Sequence, residues 1–374
     1  MLRIVIHVGP PKSGTSAIQK WLTENRERLI VQGVYYPEHG VDKNGVSSGN
    51  LFALFESLPN GNLEFSDKKL ALLEKNADVK KCHTIILSSE FFFQHIVMLA
   101  KKLPEATFLA YIRFPLEVVE SSYNQGVKRH KNIQAFGVSE RPLHYQLQDL
   151  INKMKVAGTK RFKLRPYLKD CFYDGNLISD FLYSVGLDPA LYTVEKEQLR
   201  VNPSYTLEAL EFKRWFNQFE LGGLSHKMDI FLQSINDGTI SYSLVSPQMF
   251  EHHKKLFIKR LREVSAVYEI DNVEKFIDSA KHIRQKKYVR QTLSDQDFKN
   301  MLDRYIARHP EDISFFVKLL LNNRKNANSL FNSQRLKIIK RRMPIHVFLN
   351  ELLKQIYRNT FGQRQKGSIS ENGL

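Results

Sequence analysis

Near the start of the chain a lysine stands inside a glycine-bearing turn, Pro10-Pro11-Lys12-Ser13-Gly14-Thr15-Ser16. The run before it, Ile4 to Val8, is apolar, and helical spacing follows it. Backbone N–H groups, the positive end of a helix and one ammonium therefore converge on a single spot. That is the chemistry of a phosphate cradle, with Lys12 placed to add a full charge beside a group being transferred. The usual ATP loop has its lysine directly after the last glycine. Here Lys12 precedes Gly14 by two residues, and no aspartate-bearing second motif is evident to hold magnesium.

The order Pro11-Lys12-Ser13-Gly14-Thr15 after an apolar strand resembles the 5′-phosphosulfate loop of sulfotransferases that use 3′-phosphoadenosine 5′-phosphosulfate, PAPS. That family also carries an arginine ending a later strand and a serine eight residues on, which bind the 3′-phosphate. Tyr111-Ile112-Arg113-Phe114-Pro115, running to Ser121-Ser122-Tyr123 and Lys128, matches that pattern. A guanidinium forks onto phosphate oxygens, and a hydroxyl about one turn into the next helix completes the pocket. Further segments are similar to bacterial carbohydrate sulfotransferase-type proteins: Asn25-Arg26 through Tyr35-Tyr36-Pro37, Leu87-Ser88-Ser89-Glu90, Arg165-Pro166-Tyr167, Asp180-Phe181-Leu182 with Gly186-Leu187-Asp188, and Asn202-Pro203-Ser204. The likeness covers roughly residues 1 to 220.

The resemblance implies in-line transfer of a sulfonate from PAPS to a hydroxyl or amine of a carbohydrate, with no metal. Lys12 would stabilise the leaving bridging oxygen, while the N–H groups of Ser13, Gly14, Thr15 and Ser16, with Pro11 in the same turn, would hold the 5′-phosphate. Thr15 and Ser16 suit helix capping equally well. An acceptor needs a general base, and related enzymes use glutamate or histidine. Glu90 is the first candidate, at the end of a buried strand where Phe91 to Phe93 are expected to shield it from water. As a glutamate at a helix start it also has a purely electrostatic reading. His39, in the loop after Pro37, is the second candidate, against a reading as a solvent-exposed loop histidine. His7 is read as a packed strand residue. Lys128 opens the basic run Lys128-Arg129-His130-Lys131, which fits either cofactor phosphate or a solvated helix end.

These residues need a scaffold that brings strand ends together, and the pattern supplies one. Arg3 to Val8, Val34 to Tyr36, His83 to Ser88, Thr107 to Ile112 and Phe162 to Tyr167 read as strands. Helical segments follow: Ser16 to Ile30, Asp67 to Ala77, Leu116 to Lys128 and Leu177 to Gly186. Strand alternating with helix predicts an α/β, P-loop-type three-layer fold with a central parallel sheet. Its strand ends place ligands at one edge. Tyr205 to Phe219, Pro247 to Tyr268, Val273 to Lys287 and Asp295 to Arg308 predict a mostly α-helical C-terminal region. The division expected is an α/β core over 1–204, a helical continuation over 205–330 and a basic amphipathic tail over 331–374. The loop Glu38 to Gly49 is long enough to line a site.

At 374 residues, with 42% hydrophobic and 25% charged residues, the chain can bury a full α/β core. Its formal charge of +17 is the unusual feature and points to an anionic partner or substrate. Cys82 and Cys171 lie in unrelated contexts, so neither a zinc site nor a disulfide framework is expected. The first apolar run is too short for a signal peptide and reads as a strand. Residues Thr84 to Ala100 split into a strand and a helix rather than a membrane span. Three functions compete: a PAPS-dependent carbohydrate sulfotransferase acting on an anionic polysaccharide or glycolipid, a P-loop nucleotide kinase, and a non-enzymatic polyanion binder. No nucleic-acid-binding motif is evident, and a cytoplasmic location is expected. The tail from Arg335 to Lys366, broken at Pro344, reads either as a surface helix or as a peripheral contact with an anionic membrane.

Overall fold

Strand β1 (Arg3–Gly9) is buried from Ile4 onward because its residues are apolar on both faces, as a central parallel strand requires. The computed structural model describes residues 2–40, 49–192, 205–323 and 327–367. Around β1 assemble β2 (Val34–Tyr35), β5 (Thr84–Ser88), β6 (Thr107–Ile112) and β7 (Phe162–Pro166), all parallel, in the order β2-β5-β1-β6-β7. A small antiparallel pair, β3 (Phe55–Ser57) and β4 (Leu63–Phe65), stands apart from this sheet. The chain builds one side of β1 and then crosses to the other, so β1 is a topological switch point. Ligands are received at the carboxyl ends of strands beside such a point.

Helices cover both faces. On one, Ile18, Trp21 and Leu22 of α1 (Thr15–Glu24) and Ile178, Phe181 and Leu182 of α7 (Leu177–Val185) pack with Val5, Ile86, Leu109 and Tyr111. The other face carries α4 (Phe92–Lys102) and α6 (Tyr145–Ala157). With α2 (Arg26–Val31), α3 (Asp67–Val79) and α5 (Pro115–Arg129), all of these but α7, which follows β7, are the crossovers. The parallel α/β fold is as expected. The helix expected over Ser16 to Ile30 is in fact two. Asn25 departs to φ −112°, and both its backbone N–H and its Nδ2 donate to the Trp21 carbonyl, closing α1.

The helical continuation does not form one block. The first compact unit comprises Met1–Ser122, Val138–Pro203 and Val245–Gln285, so it takes in α10 (Pro247–Ser265) and α11 (Val273–Lys281). Two contacts tie this pair to β7: the Asp271 N–H donates to the Leu164 carbonyl at 3.0 Å, and Arg165 Nη1 donates to the Asp271 carboxylate at 3.0 Å. The second unit comprises Tyr123–Gly137, Ser204–Leu244 and Lys286–Leu374. It holds α8 (Leu207–Phe216), α9 (Leu224–Gln233), α12 (Asp295–Arg308), α13 (Ile313–Asn322), α14 (Arg335–Arg342) and α15 (Ile345–Gly367). Two short strands, β8 (Tyr242–Ser243) and β9 (Lys287–Tyr288), pair within it. Its core is aromatic, with Phe212, Trp215, Phe216, Phe298 and Phe316 all fully buried. Among the described residues no helix is long and apolar enough to cross a membrane. Both cysteines are buried and unpaired with each other.

Candidate functional site

The glycine turn leaves the end of β1 through three left-handed residues: Gly9 at φ +91°, Lys12 at +71° and Gly14 at +82°. Two of them are glycines, for which this conformation carries no Cβ penalty; Lys12 bears that penalty. Ser13 Oγ donates to the Pro10 carbonyl at 2.5 Å and folds the turn on itself. Helix α1 then begins with Gly14 as its N-cap and no side-chain cap bond among the described residues. Thr15 and Ser16 lie inside the helix, so the capping alternative for them does not hold. The first N–H groups of α1 thus have neither an intrahelical partner nor a capping side chain, which is the usual condition for binding an anion. Gly14 also has a packing reason to be glycine: a Cβ there would stand 2.5 Å from Leu177 Cδ2 and 2.8 Å from Tyr167 Cε2.

Arg113 comes directly after β6 and reaches back to this turn. Its Nη1 donates to the Lys12 carbonyl at 2.6 Å, its Nε to Glu117 at 2.9 Å, and its guanidinium lies 4.8 Å from the centre of the Tyr167 ring. The two motifs read separately in the sequence are therefore in contact, and Tyr167 is wedged between Gly14 and Arg113. Desolvation raises the Tyr167 pKa above its ordinary value, although the Arg113 charge opposes the rise. Ser121 stands on the second turn of α5, about 9 Å of helix rise from Pro115.

On the other side of β1 the segment after β5 is held from several directions. The Ser88 N–H donates to Asn50 Oδ1 at 2.8 Å, the Asn50 N–H donates to the Ser88 carbonyl at 3.1 Å, and the Ser89 N–H donates to the His7 carbonyl at 3.2 Å. Glu90 follows, half-buried, and its Cα would lie 3.8 Å from a Cβ built on Gly9. Its backbone is therefore against the start of the turn. The aromatic screen expected around it is partial: Phe92 and Phe93 are buried, whereas Phe91 is 42% exposed. His7 is fully buried, with Nδ1 2.9 Å from Ser88 Oγ and its ring edge-on to Tyr111 and Phe181. Burial pushes its pKa down to about 3, so it is a neutral core residue at ordinary pH.

His39 lies at the other end of α1 from the turn. His39 Nε2 meets the hydroxyls of Tyr36 at 2.9 Å and Thr23 at 3.1 Å. Thr23 is eight residues, or about 12 Å of helix rise, from Thr15. This half-buried histidine is thus engaged at the far end of α1, and desolvation lowers its pKa. Lys128 falls in the second unit, where its ammonium lies 4.2 Å from the centre of the Tyr205 ring. It packs on an aromatic side chain of that unit. Residues 41–48 and Asn202-Pro203-Ser204 lie outside the described residues.

Two segments noted in the sequence meet in the core. Arg165 and Asp180, both buried, form an ion pair, and the Asp180 carboxylate also accepts from the Tyr111 hydroxyl at 2.9 Å and the Tyr173 N–H at 2.8 Å. Arg165 thereby fixes β7 against α7 and sets the height of Tyr167.

A shallow depression, open to solvent, lies beside the turn. Pro11, Ser13, Arg113, His144, Gln146 and Phe257 are among its walls. Gln146 Nε2 donates to the Pro11 carbonyl at 3.5 Å. The His144 pKa is lowered, first by desolvation and then by Arg260 and His253. Sequence reading missed this wall. Leu147, Leu150, Ile151 and Met154 carry a helical spacing that predicts α6, and His144 to Gln146 stand at its start. Comparison with family models, with curated proteins and with solved structures returns no match for this chain.

Proposed function

We propose that the protein is a PAPS-dependent sulfotransferase acting on a carbohydrate hydroxyl or amine. The observation that carries the proposal is the hydrogen bond from Arg113 Nη1 to the Lys12 carbonyl, 2.6 Å long. It joins a glycine turn with uncapped helix N–H groups to a guanidinium, so two anion-binding devices share one strand edge. A ligand with phosphate groups at two positions suits that pairing. The donor set fits: backbone N–H groups of Ser13, Gly14, Thr15 and Ser16 for one phosphate, Arg113 for the other, and Lys12 between turn and solvent.

PAPS supplies the sulfonate, carried on its 5′-phosphate. Lys12 offsets the negative charge that grows on the bridging oxygen as the sulfur–oxygen bond to phosphate breaks. Glu90 takes the proton from the acceptor oxygen or nitrogen as the new bond to sulfur forms. Its backbone position against Gly9 favours it over His39, which is held by Tyr36 and Thr23. A nucleotide kinase reading is disfavoured by a lysine two residues ahead of Gly14 rather than after it.

Thermal denaturation with 3′-phosphoadenosine 5′-phosphate tests the reading. Saturation at about a hundred times Kd stabilises by about 2.7 kcal/mol. The expected result is a clear rise in Tm without metal and a much smaller rise with ATP and magnesium. No rise with the bisphosphate overturns the proposal.

A further inference from the structure

Helices α14 and α15 lie on either side of Pro344 and leave two kinds of surface exposed. On α15, Ile345, Leu349 and Leu353 recur every four residues and are 79%, 51% and 63% exposed. Ile356 and Tyr357 continue the stripe at 52% and 64%. A spacing of four advances about 40° per step, so these residues form one broad apolar face. It is not the helix's packing face, because Val347, Phe348 and Leu352 are the ones set against the core of the second unit. On α14, Leu336 and Ile339 are buried, while Lys337, Lys340 and Arg341, spaced i, i+3 and i+4, point outward together. Arg335 and Arg342 are engaged by Asp295 and Asp303.

We propose that the α14–α15 pair docks on an anionic membrane surface, the apolar stripe of α15 entering the headgroup boundary and the basic face of α14 meeting acidic lipid. Residues 335–358 hold seven lysines and arginines and one acidic residue, Glu351. Glu351 is 5% exposed and bound by Lys318 and Lys354, and the acids described beside α14, Asp295 and Asp303, are paired with Arg335 and Arg342. Charge selects the occupant. A second copy would bring the same +17 chain against the same basic face, where Asp295 and Asp303 are already taken by Arg335 and Arg342. A dissolved polyanion would satisfy the lysines and arginines but gain nothing from Ile345, Leu349 and Leu353. An anionic lipid interface takes both surfaces at once. The helix is not long and apolar enough to span a bilayer, so it lies along the surface. This proposal is independent of the sulfotransferase reading.

Cosedimentation of the full chain with vesicles tests it. Phosphatidylcholine containing about 30% phosphatidylserine is compared with phosphatidylcholine alone, at about 0.1 M and about 0.5 M salt. Binding is expected to favour the anionic vesicles by at least about tenfold and to fall at high salt. The double variants Leu349→Glu/Leu353→Glu and Lys340→Glu/Arg341→Glu should each weaken it by roughly tenfold or more. All four positions are exposed, and an unchanged melting temperature verifies that the variants fold. Four results overturn the proposal. They are equal binding to both vesicle types, full binding by Leu349→Glu/Leu353→Glu, a wild-type dimer in light scattering that this variant dissociates, and heparin binding that survives the variant where vesicle binding is absent.

Discussion

Gly14→Ala separates the two reasons for glycine in the turn. At φ +82° a Cβ must accept left-handed backbone, which costs about 1–2 kcal/mol. The same Cβ would stand 2.5 Å from Leu177 Cδ2 and 2.8 Å from Tyr167 Cε2, contacts that the neighbours must relieve by moving. Overpacking of that kind adds about 1–3 kcal/mol. The whole effect is therefore about 2–5 kcal/mol. Gly61 supplies the control, since its φ is +81° and a Cβ there would meet nothing within 4 Å. Gly61→Ala bears the backbone part alone. Urea unfolding of both variants should show Gly14→Ala less stable than Gly61→Ala by about 1–3 kcal/mol. A second consequence is functional. Displacing Tyr167 shifts the guanidinium stacked 4.8 Å above its ring, so affinity for 3′-phosphoadenosine 5′-phosphate should fall about tenfold or more in Gly14→Ala and stay unchanged in Gly61→Ala. Equal destabilisation by the two substitutions would refute the packing argument.

Arg113→Ala should weaken bisphosphate binding by about tenfold or more, since it loses both a charged donor and the bond that holds the Lys12 carbonyl; calorimetric titration giving wild-type affinity removes Arg113 from the site. Glu90→Gln should lower the rate of sulfonate transfer by about a hundredfold or more with bisphosphate affinity unchanged, and a near-normal rate places the base elsewhere. His7 makes a pH prediction. Its folded pKa of about 3 lies below the ordinary imidazole value of 6.5, so below pH 6.5 the unfolded chain binds a proton that the folded chain does not. Its contribution is complete above pH 6.5 and falls by about 1.4 kcal/mol per pH unit as the pH drops toward 3. Urea unfolding of wild type and His7→Gln at pH 7, 6, 5 and 4 (~1-unit steps) should show a shallower loss in the variant, and parallel curves refute the assignment.

The sheet was legible because its strands are continuous apolar runs that no amphipathic helix would carry: Thr107 to Ile112 is a strand with the bounds its sequence implies. The helix break at Asn25 was not, since it depends on a side-chain amide that reaches back to the Trp21 carbonyl. Nor was the grouping of α10 and α11 with the sheet, which rests on contacts of Asp271 with residues more than a hundred positions earlier. At the site, the turn and Arg113 could be read as two separate devices, because each is local. Their contact could not, and neither could the wall from His144 to Gln146, which only tertiary packing brings to Pro11. The partners of His39 could not be read either. A loop position says little about reach, and this histidine is captured by Tyr36 and Thr23.

The turn's left-handed lysine gives these contacts a common structural consequence. A non-glycine residue at φ +71° is disfavoured by about 1–2 kcal/mol and persists where its surroundings over-determine it. Here the surroundings are identifiable: Arg113 draws on the Lys12 carbonyl, Ser13 binds the Pro10 carbonyl, and Tyr167 with Leu177 leaves no room for Gly14 to move inward. Tyr167 is in turn set by the buried Arg165 and Asp180 pair, which links β7 to α7. The backbone N–H groups are thus oriented by the fold before any anion arrives. On the proposed sulfotransferase reading, donors fixed in advance need not reorganise during transfer.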